Sequence, residues 1–338
     1  MRMLPLSAAL ASVTVALLVA TAGPVPAEDT YTIVFGTVAP KDTPWSAQLE
    51  DIKKRVEGET SKKIKVKLKL GGALGGELEM LQMLQQGRIQ GGGFSTGSVA
   101  TIVPELEMIE LPYLFENDAE ADFILDTVLW KPMSEAMLKK GFVLAAWGEN
   151  GWRGIATQSK PIHTPADLKG LKLRSQESKI HLATWAALGA NATPIAIPEV
   201  LSALQTGVVE AFDNTPLFAV ATDWYTTSKF FTITDHIYQP GAVIYSKAFF
   251  DTLPADLQKI VLGDAVAESK RGRAAVRKMN KELIDQFKAQ KVQVSTLTAE
   301  EKSKFREATR KVHEDFRKQP GGGLLAQVQE ALEKYRKK

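Results

Sequence analysis

Tyr31-Thr32-Ile33-Val34-Phe35-Gly36 is followed by Asp42-Thr43-Pro44-Trp45 and then by Lys63-Ile64-Lys65-Val66-Lys67-Leu68-Lys69-Leu70. The first run is apolar, rich in β-branched and aromatic residues and closed by glycine, which reads as a buried strand. Thr43 or Asp42 can cap a helix with Pro44 in its first turn, and Trp45, Leu49, Ile52 and Val56 give that helix one apolar face. From Lys63 the chain alternates strictly, with Ile64, Val66, Leu68 and Leu70 on one side and lysines on the other, as in a strand with one wet face. The glycine turn 71–76 leads into a helix from Glu77 to Gln86, and Ile89 to Phe94 is a third strand, thinned by Gly91, Gly92 and Gly93. This alternation argues for a mainly parallel sheet with helices on both faces.

Further along, the alternation recurs. Phe142–Trp147, Trp152–Ala156 and Leu171–Arg174 read as strands, followed by a helix through Leu182, Trp185 and Leu188 that stops at Gly189. A helix from Glu199 to Thr206 stops at Gly207, and Val208–Phe212 is a strand. At roughly 100–200 residues per domain, the length suggests two such α/β units. The run from Pro254 to about Lys288 reads as one helix with only Gly263 and Gly272 inside it. At 1.5 Å per residue it is ~50 Å long, enough to span two units. Pro320-Gly321-Gly322-Gly323 then separates a last amphipathic helix, Leu324 to Tyr335.

The 338 residues are 44% hydrophobic and 24% charged, with a formal net charge of +3, which excludes a disordered, fibrous or multi-span membrane protein. The absence of cysteine removes thiol nucleophiles, Fe–S clusters and cysteine zinc sites. The four histidines, His163, His181, His236 and His313, show no ligand spacing, so neither a metal nor another cofactor is expected. The glycine turn 71–76 lacks the Lys-Ser/Thr of a P-loop and the spacing of a dinucleotide loop, which leaves a turn with free helix amides able to hold an anion. No Gly-x-Ser-x-Gly elbow or paired carboxylates support an enzyme. The C-terminal third is basic, but Lys270, Arg271, Arg273, Arg277, Lys278 and Lys281 are interleaved with acids and read as a solvated helix face, not a nucleic-acid surface.

Residues 1–27 read as a secretory signal peptide. Arg2 precedes an apolar stretch from Leu6 to Ala22, Pro24 and Pro26 break it, and Val25-Pro26-Ala27 has the small-residue pattern for cleavage. An uncleaved anchor is the competing reading. Without cysteine no lipidated N-terminal cysteine can form, so a periplasmic protein without stable membrane insertion is expected.

Ala166-Asp167-Leu168-Lys169-Gly170-Leu171-Lys172-Leu173-Arg174, Leu188-Gly189-Ala190 and Pro198-Glu199-Val200-Leu201-Ser202-Ala203-Leu204-Gln205-Thr206-Gly207-Val208-Val209-Glu210 occur in that order. Together they resemble the signature of solute-binding proteins of TRAP (tripartite ATP-independent periplasmic) transporters, the DctP-like family. Leu74-Gly75-Gly76, Gly151-Trp152-Arg153 and Leu253-Pro254-Ala255-Asp256-Leu257-Gln258 are similar to further landmarks.

The resemblance implies an α/β, two-lobed periplasmic binding protein fold with hinge strands and a long lobe-spanning helix. Residues 28–149 and about 239–277 would form lobe I, residues 150–238 and about 278–307 lobe II, and 308–338 a C-terminal helical segment. It further implies a small-molecule carboxylate ligand, delivered to TRAP membrane permease subunits. Arg174 corresponds to the family arginine that binds the carboxylate, and Arg153 to a second one. Asn214 matches the family asparagine when counted from Arg174 without a gap. Ser95 and Thr96 end a ligand-facing strand, and Trp152 and Glu77 complete the candidate contacts. Arg174 is followed by Ser175-Gln176, where the family usually has an apolar residue and a proline. Val38 and Ile197 stand where relatives with very polar ligands carry polar or aromatic groups. With Trp45, Trp152, Trp224 and Tyr225 they favour a carboxylate with an apolar or aromatic body over a sugar acid. A secreted two-domain enzyme reusing the fold and an ABC-type solute-binding protein are the alternatives.

Overall fold

A computed structural model describes residues 30–337, the side chains of Asn280 and Lys281 excepted. The proposed signal peptide and Lys338 lie outside the described residues. Eleven strands are described: β1 Tyr31–Gly36, β2 Ile64–Lys69, β3 Gly91–Ser95, β4 Phe142–Trp152, β5 Gly154–Thr157, β6 Lys172–Ser175, β7 Asn191–Pro194, β8 Ala211–Asn214, β9 Phe230–Ile233, β10 Tyr238–Ser246 and β11 Gln293–Thr296. They form two sheets, ordered β2-β1-β3-β10-β4 and β11-β9-β5-β8-β6-β7, one for each lobe of an α/β fold.

Within the first sheet β1, β2 and β3 are parallel, as the opening alternation requires, and β10 is antiparallel to both β3 and β4. Thr43 caps the helix Pro44–Glu59 through a reciprocal pair with Ser46, and Pro44 sits in its first turn. That helix drops the Trp45 indole onto a floor of glycines. A β-carbon at Gly93, Gly148 or Gly241 would lie 2.7, 2.4 or 2.1 Å from the ring, so β3, β4 and β10 each give up a side chain there. The glycines that thin the third strand thus make room for an aromatic side chain.

The chain crosses between the sheets at two strand-to-strand connections, and a third time from β10 to β11 through helix Ala265–Ala289. Of the first two, one is the step from β4 through Arg153 into β5; the other runs from β9 to β10, and Arg153 N–H donates to Ile237 O between them at 3.0 Å. Helix Ala265–Ala289 packs on β4 of the first sheet and on helix Pro216–Ala221 and β11 of the second. The C-terminal helix Gly322–Arg336 returns to the first lobe, where Arg336 pairs with Glu120 at 2.8 Å.

Several local expectations are corrected. The helix expected from Pro254 to Lys288 is two helices, Ala255–Leu262 and Ala265–Ala289, because Gly263 adopts φ +64 and ends the first. Gly272 lies inside the second helix, where it lets Gln48 approach. The expected strand Val208–Phe212 begins three residues later, at Ala211, and Phe142–Trp147 extends to Trp152. Arg273 and Arg277 are not part of a solvated face. Arg273 is buried and donates to Asp126 at 2.6 Å, and Arg277 reaches Asp122 and Glu149 at 2.8 and 2.6 Å. Glu149 is itself buried on β4, so these ion pairs fasten the crossing helix to the strand it covers.

Candidate functional site

A narrow cavity of about 10 Å3 lies between the lobes. On the first-lobe side Val38, Ala39, Trp45 and Phe94 form an apolar wall, interrupted by Thr37, Glu77 and Ser95. On the second-lobe side stand Arg174, Gln176, Ile197, Asn214 and Phe218, and Asn150, Arg153 and Gln239 line the crossing. Val38 and Ile197 are therefore placed on the cavity, as their positions in the sequence suggested.

Arg174 projects from β6, a strand held by β7 on one side and β8 on the other. Its Nε and Nη2 donate to Ile195 O at 2.9 and 2.7 Å, and the guanidinium stacks over the buried Trp224 ring at 5.1 Å. Among the described residues no carboxylate lies within 4.0 Å of it, so its charge is not neutralised by the protein at close range. Burial, and secondly the nearby Arg153, bring its pKa down to about 10, which keeps it charged at neutral pH.

Arg153 is built differently. Its Nε bonds Asp213 Oδ2 at 2.5 Å, its Nη1 reaches Gln239 Oε1 at 2.6 Å and Asn214 Oδ1 at 3.2 Å, and its Nη2 donates to Asp213 O at 2.7 Å. Burial would raise the Asp213 carboxyl, but Arg153 outweighs it and holds that carboxyl well below the usual carboxylate range. Arg153 lines the cavity as a neutralised post that orients Asn214 and Gln239. Because a guanidinium only donates, Asn214 must turn its oxygen to Arg153 and to Thr215 N–H, leaving its NH2 group as its contribution to the cavity.

Ser95 faces the cavity, donates to Glu77 Oε2 at 2.6 Å through Oγ and to Glu77 Oε1 at 2.6 Å through its backbone N–H. Burial raises the Glu77 carboxyl above its ordinary value, and the Ser95 and Ser98 donors work against that rise.

Thr96 and Trp152, two of the expected contacts, are not among the residues that line the cavity. The Thr96 hydroxyl is committed behind the wall, to Glu110 Oε1 at 2.5 Å and Pro240 O at 3.0 Å. Trp152 precedes Arg153 on extended chain, where successive side chains point to opposite faces. Its indole therefore turns outward, with Nε1 donating to Asp118 Oδ1 at 2.7 Å and the ring edge-on to Tyr238.

Asn150, Gln176 and Gln239 line the cavity and Asp213 holds Arg153 behind it, and the sequence did not single out these positions. Asn150 accepts the Trp45 indole N–H at 2.8 Å and donates to Gln239 Oε1 at 3.1 Å. The visible signal was the departure at Ser175-Gln176 and the adjacency of Asp213 to Asn214. Behind them Glu110 meets His181 Nε2 at 2.5 Å; this neighbour and the Thr96 and Gln239 donors lower the Glu110 carboxyl despite its burial.

The family model for bacterial extracellular solute-binding proteins, family 7 (DctP), matches residues 35–319. The chain belongs to this family. It is a family of substrate-binding receptors, and the TRAP resemblance carried by residues 166–210 holds. The C4-dicarboxylate-binding periplasmic protein DctP of Rhodobacter capsulatus is 31% identical over 302 residues, 88% of this chain and 90% of that protein. The sugar acid binding protein DctPAm of Advenella mimigardefordensis, solved with galactonate, superposes with a TM-score of 0.87 at 28% identity, covering 90% of this chain and 99% of that one. A TRAP periplasmic solute-binding protein of Ralstonia eutropha H16, solved with (S)-2-acetolactate, gives 0.85 at 29% identity, covering 90% and 99%. The family member is thus a solute receptor of the two-lobed TRAP type, and no described helix is long and apolar enough to cross a membrane.

Proposed function

We propose that the chain is the extracytoplasmic receptor of a TRAP transporter that holds an organic acid by its carboxylate at Arg174 and hands it to a membrane permease. The observation that carries this is the contrast between two buried arginines. Arg153 is neutralised by Asp213, whereas Arg174 keeps a positive charge facing the cavity with a backbone carbonyl as its hydrogen-bond partner. A buried charge of that kind favours an anion, and a planar guanidinium matches a carboxylate. The Asn214 NH2 group offers a second donor, and Trp45, Val38, Phe94 and Ile197 suit an apolar body. The ligand leaves chemically unchanged, and the crossings at 152–154 and 233–238 serve as the hinge between lobes bounded near residues 149 and 239.

Thermal melting against a library of organic acids tests this reading, since a ligand bound only by the native state raises stability by RT ln(1 + [L]/Kd). A carboxylate should raise the melting temperature of the wild type and not of Arg174→Ala. Stabilisation by neutral sugars alone would overturn it. Export with removal of residues 1–27 completes the proposal: N-terminal sequencing should read Glu-Asp-Thr-Tyr, and an intact leader in the membrane fraction would contradict it.

A further inference from the structure

We infer that Gln176 determines which acids the receptor accepts, by filling the polar end of the cavity with its own carboxamide and so selecting a short acid with an apolar body over a polyhydroxylated one. This rests on the carboxylate-receptor reading above and deepens it.

Geometry fixes the orientation of every member of a chain that crosses the cleft. Arg153 can only donate, so the Gln239 atom at 2.6 Å from its Nη1 is the oxygen. Gln239 Nε2 then donates to Gln176 Oε1 at 2.6 Å, and Gln176 Nε2 donates to Ser95 Oγ at 2.7 Å and Ser98 Oγ at 3.2 Å. The two serine hydroxyls donate to Glu77 Oε2 at 2.6 and 2.7 Å. All donors run one way, from a guanidinium to a carboxyl group, so the two amide dipoles add head to tail.

The consequence concerns what is left for a ligand. Thr37, Ser95 and Glu77 are the polar groups that a hydroxylated ligand body would use on the first-lobe side, and Gln176 has already engaged Ser95 and, behind it, Ser98. The chain also makes space for this arrangement. A β-carbon at Gly97 would lie 3.0 Å from Gln176 Nε2 and 2.7 Å from Glu110 Oε2. Near this end the remaining wall is Val38, Ala39, Trp45 and Phe94, with Thr37 beside them and its Oγ1 accepting from Ala39 N–H at 3.2 Å. A row of ligand hydroxyls would lose more water there than it gains partners.

Titration calorimetry on the full mature chain separates the possibilities. The probes are (S)-2-acetolactate and 3-methyl-2-oxobutanoate as short branched acids and galactonate as the polyhydroxylated one. The wild type should bind at least one short acid about 100-fold more tightly than galactonate. Gln176→Ala should close that gap about tenfold or more, chiefly by strengthening galactonate, and Gln176→Met, which keeps the volume, should preserve it. Equal wild-type affinities, equal weakening of both classes in Gln176→Ala, or closure of the gap by Gln176→Met would each overturn the assignment to Gln176 and leave the receptor reading standing. Failure of every carboxylate to bind would overturn both.

Discussion

Gln176 Nε2 reaches across the cleft to Ser95 Oγ at 2.7 Å, from the same strand edge that carries Arg174 two residues earlier. Gln176 directly follows the last strand residue, Ser175, so one short segment presents both Arg174 and a contact between the lobes. The lobes are held together here by the protein's own side chains. A ligand shifts the balance between open and closed forms only by its preference for the closed one.

For Arg174 the expected outcome follows from its geometry. Arg174→Lys keeps a charge but loses the planar fork, its bonds to Ile195 O and its stacking on Trp224. Charge-assisted hydrogen bonds contribute about 1.5–3 kcal/mol, so affinity for the bound acid should fall about 10- to 100-fold. Titration calorimetry on the folded variant measures this, and unchanged affinity would remove Arg174 from the site.

The latch gives a prediction about shape. Gln176→Ala removes the cross-cleft hydrogen bonds, each contributing about 1 kcal/mol, and should move the ligand-free population toward an open form. Small-angle X-ray scattering should record a larger radius of gyration for the apo variant than for the apo wild type. Saturating acid should bring the two together. Identical apo values would show that this contact does not hold the lobes.

Legibility differed between fold and site for physical reasons. The first sheet was readable because strict alternation in 63–70 and the Thr43-Pro44 start impose local conformations that packing did not override. The break at Gly263 was less legible, because a helix stop and a tolerated helix glycine look alike in sequence; Gly272 is the second kind. Arg174 was marked by its surrounding motif. The inward turn of Arg153 to Asp213, and the outward turn of Trp152, depend on which face of the crossing strand each residue takes. Gln176 and Gln239 sit far apart in sequence, and their meaning appears only when two strands from different sheets bring them to 2.6 Å.

Trp152 supplies a test of that face assignment. Trp152→Phe removes the hydrogen bond to Asp118 and leaves the cavity wall untouched. Ligand affinity should stay within about twofold, while stability falls by about 1 kcal/mol, the usual size of one such bond. A loss of affinity tenfold or greater with unchanged melting would return the indole to the ligand.

Asp213 sets the acid limit of the molecule. Its folded-state pKa is depressed: burial opposes the shift, but Arg153 outweighs it, with help from His236 and His181. A carboxyl whose folded pKa lies below its unfolded value of about 3.9 contributes stability that is fully present above that value and is lost as pH falls through the window below it. The wild type should therefore melt at a nearly constant temperature as far as this pair governs it above pH ~4, and lose stability progressively below. Asp213→Asn leaves the Arg153 guanidinium buried without its counter-charge, which costs about 3–5 kcal/mol for a broken buried pair. Its melting temperature should be lower at neutral pH, and the part of the acid loss due to this pair should vanish, so that the wild-type and variant curves converge as pH falls below ~4. Curves that stay parallel through that window would show that Asp213 is not the group whose ionisation holds the second lobe's arginine in place.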